Sequence, residues 1–248
     1  MIELKGVCFG YGREPLLENL SCCLPDHAIT AVIGPNGSGK STALRLCARL
    51  LTPQRGEIRV GGQPAAAYDP RGFARQLAYL PQSRPTPMIT VRSLVSHGRF
   101  PHLGMTRRLS SADEAAVDRA LTMTDMAACA HRDLRTLSGG QRQKAYLAML
   151  IAQGAPHLLL DEPTTYLDVL HQMELMEILR ALRDEGCCIG VVLHDLTQAV
   201  SLCDHALLLH EGRLLFDGPA EALYESGTIE TAFGVRPVRR QGVSFERL

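Results

Sequence analysis

Apolar residues follow two different spacings in the predicted strands of this chain. At residues 1–8 they alternate with polar residues, as in a strand with one buried face. Several later apolar runs are short and continuous, which is typical of strands buried on both faces. The pattern predicts strands at residues 1–8, 29–33, 57–60, 77–80, 157–160 and 188–193, and a hairpin of residues 206–210 and 213–217. Helical spacing predicts helices at 41–51, 91–98, 112–123, 138–153 and 169–185, with short helical segments near 219–225 and 228–233.

The alternation of strands and helices predicts an α/β fold, and one stretch interrupts it. Residues 83–136 open with Pro85 and Pro87 and then read as helical. Within them, Ser111 and Glu114 form a candidate capping box for the helix at 112–123. We therefore expect one domain over residues 1–248, with a helical subdomain at about 83–153 and a short C-terminal extension at about 218–248.

Composition narrows the class of protein. The 248 residues are 46% hydrophobic, the formal net charge is zero, and no apolar run reaches the roughly 18 residues of a membrane span. A neutral chain is not expected to bind nucleic acid. The N-terminus lacks a basic region followed by an apolar stretch, so we expect a cytosolic protein. The eight cysteines include two adjacent pairs and no C-x-x-C spacing, which indicates reduced core residues.

A glycine-rich run lies between a predicted strand and a predicted helix, and it matches the phosphate-loop pattern G-x-x-x-x-G-K-[ST]. Its residues are Gly34, Pro35, Asn36, Gly37, Ser38, Gly39, Lys40 and Ser41. In such a loop, backbone N–H groups and a helix N-terminus converge on a phosphate. Lys40 would reach the β- and γ-phosphates of a nucleotide, Ser41 would hold Mg²⁺, and Thr42 would bond the α-phosphate. The alternative is a glycine-rich turn before a helix, and the strand–loop–helix context argues against it.

Two carboxylates, Asp161 and Glu162, follow the apolar strand at 157–160. The carboxyl end of a buried strand lies at the edge of a parallel sheet, where ligands bind. The alternative is a turn or helix start that happens to be acidic. Because the same chain carries a phosphate loop, we expect both carboxylates at a nucleotide site.

The run Leu-Ser-Gly-Gly-Gln at residues 137–141 opens the helix at 138–153. Ser138 and Gln141 match a capping box, which is one sufficient interpretation of those two residues. It does not explain Gly139 and Gly140, because a helical glycine costs about 1 kcal/mol relative to alanine. Two residues without side chains would let a phosphate of another molecule approach this helix N-terminus.

The phosphate loop and the Leu-Ser-Gly-Gly-Gln run together resemble the ATP-binding subunits of ATP-binding-cassette (ABC) transporters, over roughly residues 1–217. The resemblance implies a P-loop NTPase core of ABC ATPase type, with an antiparallel β subdomain and a helical insertion. It implies ATP and Mg²⁺ as cofactors, and a head-to-tail homodimer that sandwiches ATP twice. The second subunit's nucleotide would face Ser138, Gly139, Gly140 and Gln141. Asp168 would belong to the D-loop that links the two sites.

The same resemblance assigns roles to single residues near the predicted sheet edge. Asp161 would bind Mg²⁺ through water, and Glu162 would polarise the attacking water. Gln82 would sense Mg²⁺ and the γ-phosphate, and His194 would contact the γ-phosphate. Tyr11 would stack on adenine, for which a flat π face suffices. The plainer alternatives are a structural histidine and a loop or core tyrosine.

Two segments resemble the ABC importer branch for ferric siderophores, haem and vitamin B12, and are most similar to its ferric-siderophore members. They are residues 95–102 and the stretch from Tyr166 to Gln172. The branch implies separate membrane permease subunits and, indirectly, a substrate-binding protein. Gly98–His102 would border the groove for the permease's coupling helix. The alternative is ordinary variation in a surface loop.

Two hypotheses from other classes stay open at this point. A non-transport ABC ATPase of translation or DNA repair would usually carry two cassettes or a long coiled coil, and the sequence shows one cassette and no sustained heptad. A binding or scaffold module would carry a degenerate site, whereas Lys40, Asp161, Glu162 and His194 are all present. An ATPase assay separates the scaffold from the enzyme.

Overall fold

Two β-sheets organise the chain in this computed structural model, which describes residues 1–236 except 13, 105–107 and 166. The strands are β1 Ile2–Phe9, β2 Leu17–Leu24, β3 Ala28–Ile33, β4 Arg55–Val60, β5 Gln63–Pro64, β6 Leu77–Leu80, β7 His157–Leu160, β8 Cys188–Val192, β9 His205–His210 and β10 Arg213–Pro219. The helices are α1 Lys40–Cys47, α2 Pro70–Gln76, α3 Val91–His97, α4 Ser111–Met123, α5 Gly139–Gln153, α6 Val169–Asp184, α7 Leu196–Leu202 and α8 Thr228–Phe233. Short 3₁₀ turns lie between them, the longest at Ala220–Glu225.

The two sheets differ in strand direction. The smaller sheet has the order β2-β1-β4-β5 and is antiparallel. The larger sheet has the order β10-β9-β3-β8-β7-β6. Its strands are parallel from β9 to β6, and β10 closes it with an antiparallel hairpin. The expected α/β class, with a parallel P-loop core, an antiparallel subdomain and a helical insertion, is therefore confirmed.

The larger sheet is buried on both faces, because alternate residues of its central strands enter two different cores. Val32 and Leu159 face the antiparallel sheet and α1. Ala31 and Leu160 face the helical side of the molecule. This explains the continuous apolar runs in the sequence, since neither face of these strands meets water.

Helices cover the other face of the larger sheet. Helices α3, α4 and α5 pack against one another, and their buried residues share one core with the sheet. The boundaries of the expected helical subdomain stay a prediction, and residues 237–248 of the expected C-terminal extension lie outside the described residues. Among the described helices, none combines the length and the apolar content that crossing a bilayer requires. All eight cysteines are free thiols.

Several local predictions differ from the structure, and the short elements β5, α2 and α7 were not predicted. Strand β2 was not predicted, because β-bulges in its pairing with β1 put its buried leucines at positions 17, 20 and 24 rather than at every second residue. Helix α1 ends at Cys47 instead of residue 51, and Arg49 beyond it has a left-handed φ of 57°. The capping box of α4 is formed by Ser110 and Asp113, one residue before the predicted pair Ser111 and Glu114.

Candidate nucleotide site

The candidate site lies at the carboxyl edge of the parallel sheet. The phosphate loop follows β3, Asp161 and Glu162 follow β7, and His194 lies just beyond β8. Gln82 lies two residues beyond β6. Because these strands are neighbours in the sheet, four segments that are distant in sequence converge at one edge.

The phosphate loop has the shape of an anion cradle. Gly34 has a φ of 148°, and a Cβ there would lie 2.0 Å from the carbonyl oxygen of Leu209, so only glycine fits. The N-cap of helix α1 is Gly39, which has no side chain to cap the helix, and this leaves the N–H groups of the first turn for a ligand. The hydroxyl of Ser38 is buried and has no hydrogen-bond partner within the described chain. Uncapped N–H groups and an orphaned hydroxyl fit a phosphate at this position.

Lys40 occupies the centre of the cradle. It is buried, and its Nζ donates to the carbonyl oxygens of Gly34 at 2.8 Å and Pro35 at 2.9 Å. Burial lowers the pKa of the ammonium, and the nearby carboxylates of Glu162 and Asp161 oppose that shift. Two neutral carbonyls do not neutralise a buried cation, so this ammonium is poised for an anionic ligand.

Asp161 has the environment of a cation ligand. It is 1% exposed, and the Ser41 hydroxyl donates to its Oδ1 at 2.7 Å. The Tyr79 hydroxyl donates to its Oδ2 at 3.1 Å, and burial, with the nearby Asp161 charge, raises the pKa of Tyr79 to about 12. A carboxylate and a hydroxyl oxygen are ligands that Mg²⁺ accepts, so Ser41 and Asp161 could hold this cation. Tyr79 was not predicted, and the only signal for it is one polar group within an apolar strand.

Glu162 is held by three polar side chains. Its φ of 51° is unusual for a residue with a side chain and turns it out of the sheet direction. His194 Nε2 lies 2.7 Å from its Oε1, and the Gln82 amide donates to its Oε2. The Thr165 hydroxyl also donates to Oε2, at 3.3 Å. A carboxylate held in this position at the mouth of the cradle can take a proton from water. The contact with Thr165 was not predicted from the sequence.

A cavity of about 180 Å³ joins the loop to Glu162. The lining includes Asn36, Gly37, Gly39, Lys40, Ser41, Thr42 and Leu16, of which Leu16 was not predicted. Tyr11 lies beside it, with its hydroxyl 3.5 Å from the Thr42 hydroxyl oxygen, and it is 58% exposed. Phe9 meets its ring edge-on, with ring centroids 5.0 Å apart. An exposed ring at the rim can act as a stacking surface for a base.

The Leu-Ser-Gly-Gly-Gln segment is not part of this cavity. Ser138 caps α5, its hydroxyl accepts from the N–H of Gln141 at 3.2 Å, and the Gln141 side chain accepts from the N–H of Ser138. The predicted capping box is therefore present. A Cβ on Gly139 would meet nothing within 4 Å, whereas one on Gly140 would lie 3.0 Å from the His171 ring. Only Gly139 keeps the open approach that the sequence suggested for both glycines.

Asp168 is the N-cap of α6. Its Oδ1 accepts from the backbone N–H of His171 at 2.9 Å and lies 2.6 Å from the Nδ1 of the same residue. The backbone N–H, followed by the ring, lowers the pKa of Asp168. The His171 ring thus lies between Asp168 and Gly140. Tyr166, which the sequence singled out in the same segment, lies outside the described residues.

The two glycines of α5 offer a matched pair of substitutions. We expect Gly139→Ala to leave the free energy of unfolding unchanged or to raise it, by up to about 1 kcal/mol, because alanine favours a helix. Gly140→Ala should lower stability by about 1 kcal/mol or more, because its Cβ crowds the His171 ring. Urea unfolding of the nucleotide-free chain measures both. His171→Ala should remove the difference, and equal midpoints for the two single variants would contradict this packing.

Residues 98–102 form a surface segment that several hydrogen bonds hold in place, away from the cavity. The Arg99 guanidinium pairs with Asp113 at 2.9 Å and donates to the carbonyl oxygen of Ala152. Arg71 and Arg75 both donate to the carbonyl oxygen of Pro101 at 2.8 Å. Phe100 is left 58% exposed on this support. An exposed aromatic on a fixed loop is suited to contact another molecule.

A parallel sheet with a phosphate loop, a buried aspartate and a positioned glutamate at its carboxyl edge defines a P-loop NTPase. Residues 17–165 match the family model described as ABC transporter, and the chain belongs to this family. It is an ATPase of the kind that is coupled to transport.

Relatives and solved structures agree with this family. The chain is 42% identical to the ferric enterobactin transport ATP-binding protein FepC of Escherichia coli, over 94% of this chain and 88% of the relative. It is 40% identical to the petrobactin import ATP-binding protein FpuC of Bacillus anthracis, over 95% and 87%. It is also 40% identical to the cobalamin import ATP-binding protein BtuD of Halobacterium salinarum, over 95% and 59%. A solved ABC transporter, described as of metal-chelate type and inward-facing, superposes with a TM-score of 0.82 at 28% identity, covering 95% of this chain and 89% of that one.

Proposed function

We propose that this chain hydrolyses ATP to energise import of an iron chelate, foremost a ferric siderophore, through separate membrane permease subunits. The observation that carries the ATPase is the convergence of Gln82, Glu162 and His194 at the mouth of the phosphate loop. The cargo rests on relatives named for ferric enterobactin and petrobactin. The chain would work on the cytoplasmic face of a bacterial inner membrane, and a substrate-binding protein would act with it indirectly.

The described contacts support a division of labour within the site. The phosphates of ATP would lie on the loop from Gly34 to Thr42, with Lys40 as the cationic partner of the β- and γ-phosphates. Ser41 and Asp161 would hold Mg²⁺, which neutralises phosphate charge when bound, and Gln82 would complete its surroundings. Glu162 would accept the proton of the attacking water, and His194 would hold that carboxylate in place.

The second half of each site would come from a second copy of the chain. Ser138, Gly139, Gly140, Gln141 and Asp168 lie outside the phosphate-loop cavity of their own chain. Gly139 leaves the N-terminus of α5 open, as approach of a phosphate requires. A head-to-tail homodimer would bring these residues to the partner's nucleotide. We expect this chain to bind neither a nucleic acid nor the cargo chelate itself.

Uptake measurements in the source bacterium test the cargo. Deleting the gene is expected to abolish uptake of a labelled ferric siderophore, because the permease would lose its source of energy. Uptake of labelled haem and cobalamin, measured in the same strain, provides the comparison. Complementation with the intact gene should restore uptake, and complementation with a Glu162→Gln gene should not.

The second candidate cargo is vitamin B12, because the relative named for cobalamin import is 40% identical to this chain, as is the relative named for petrobactin import. Haem importers belong to the same branch. Normal siderophore uptake with lost cobalamin or haem uptake would replace the cargo and leave the ATPase intact. A non-transport role would follow only if all three uptakes were normal in the deletion strain.

A further inference from the structure

The segments that follow strands β7 and β8 are tied together at two points. The first tie is the contact between His194 Nε2 and Glu162 Oε1 at 2.7 Å. The second lies deeper, where the side-chain amide of Gln198 on α7 donates to the Oε1 of Gln172 on α6 at 2.6 Å. Both glutamines are half-buried. The two ties enclose the chain from Glu162 to Gln172 and the chain from His194 to Gln198 in one ring.

Gln172 also holds the turn that precedes its helix. Its Nε2 donates to the carbonyl oxygen of Leu167 at 2.9 Å and approaches that of Thr164 at 3.5 Å. This turn ends at Asp168, whose side chain is 66% exposed. The side-chain oxygen of Gln172 therefore accepts from α7, and its side-chain nitrogen donates to the main chain of the turn. Gln172 thus connects α7 to this turn.

Helix α7 is itself anchored next to His194. The Asp195 carboxylate caps it by accepting from the N–H groups of Thr197 at 2.7 Å and Gln198 at 3.4 Å. The backbone of His194 is thus joined directly to the capped start of α7, the helix that carries the amide of Gln198.

We propose that Gln172 is a positioning residue that couples the His194–Glu162 contact of one ATP site, through the hydrogen bond from Gln198, to the turn that ends at the exposed Asp168. This rests on the proposed function, in which that turn faces the second subunit. The hydrogen bond between Gln198 and Gln172, called the bridge below, links two events. These are closure around ATP in one site and placement of the turn at the other site. It acts through other residues and does not touch the nucleotide.

The test compares Gln172→Leu and Gln198→Leu with Gln198→Lys in ATPase assays of the full chain. Leucine keeps the side-chain size and removes the hydrogen bond, while lysine keeps a donor for Gln172 Oε1. Both leucine variants are expected to lower kcat by roughly 2- to 30-fold, the range by which single residues between two sites change their coupling, and to bring the Hill coefficient for ATP towards 1. Gln198→Lys should stay close to the unmodified chain.

Three further readouts separate coupling from a merely structural role. ATP affinity of the dilute monomer should be unchanged in the leucine variants, and the thermal midpoint should fall by no more than the loss of these hydrogen bonds explains. The double variant Gln172→Leu/Gln198→Leu should lose no more kcat than Gln172→Leu alone, because that substitution already removes the bond to Gln198 together with the bonds to the Leu167 and Thr164 carbonyl oxygens. Multiplying losses, or a parallel loss of monomer affinity, would overturn the bridge.

The failure of this proposal is distinguishable from failure of the proposed function. If the unmodified chain hydrolyses ATP cooperatively and Gln172→Leu, correctly folded, does the same, the bridge is overturned and the ATPase stands. If the unmodified chain does not hydrolyse ATP, the proposed function falls and the bridge falls with it.

Discussion

Replacing Glu162 by glutamine is expected to slow ATP hydrolysis by about 10²–10⁴-fold, the contribution of a positioned general base. Binding of ATP should persist, because the phosphate loop and Lys40 are unchanged. The fold should also persist, since the amide can still accept from Gln82 or Thr165 and lie against His194. The variant should therefore accumulate as an ATP-bound dimer, which gel filtration with light scattering detects.

A second carboxylate provides the control for this substitution. Glu185 is exposed, pairs with Arg119 and lies beyond the far end of α6, so Glu185→Gln makes the same chemical change away from the site. Its turnover should equal that of the unmodified chain. Near-normal turnover of Glu162→Gln would remove Glu162 from the proposed role of base.

Replacing Ser138 by arginine is expected to abolish hydrolysis and ATP-driven dimerisation while leaving ATP bound to the monomer. Ser138 lies at the N-terminus of α5, outside the phosphate-loop cavity of its own chain. A long cationic side chain there would fill the space that the partner's phosphate needs. Calorimetry on the monomer and light scattering with ATP measure the two effects separately.

Ser138→Ala is the matched control, because Ser138 has two roles in the structure. Both substitutions remove the cap on the Gln141 N–H, which costs about 1 kcal/mol of stability, but only arginine adds bulk. Alanine should therefore retain measurable dimerisation and hydrolysis. An equal loss of monomer ATP binding in the arginine variant would contradict a site shared between two chains.

Short sequence patterns were sufficient to predict most elements of the fold and the position of the candidate site. Apolar runs located β3, β7 and β8, and the glycine pattern located the loop before α1. They failed at β2, because bulges disturb the two-residue period on which strand recognition depends. They also placed the cap of α4 one residue late, since Ser110 and Ser111 are chemically equivalent in the sequence and only the geometry selects Ser110.

Two explanations of single residues changed once the structure was known. The sequence attributed both Gly139 and Gly140 to an approaching phosphate, yet a Cβ on Gly140 would also crowd the His171 ring of its own chain. That contact joins α5 to the start of α6, and no pattern within either helix announces it. Tyr79 and Thr165 were missed for the same reason, because their partners come from another segment or from a tight turn.

The amino-acid sequence by itself determined the elements, the phosphate loop and the chemical types at the site, because periodicity, glycine and capping residues act over a few neighbouring positions. The tertiary structure alone decided which groups meet. The order β3-β8-β7-β6 brings Lys40, Glu162, His194 and Gln82 to one edge, and the fold brings Gln172 of α6 within hydrogen-bond distance of Gln198 of α7. Such contacts depend on strand order and on the burial of two faces of one sheet, which are properties of the whole chain.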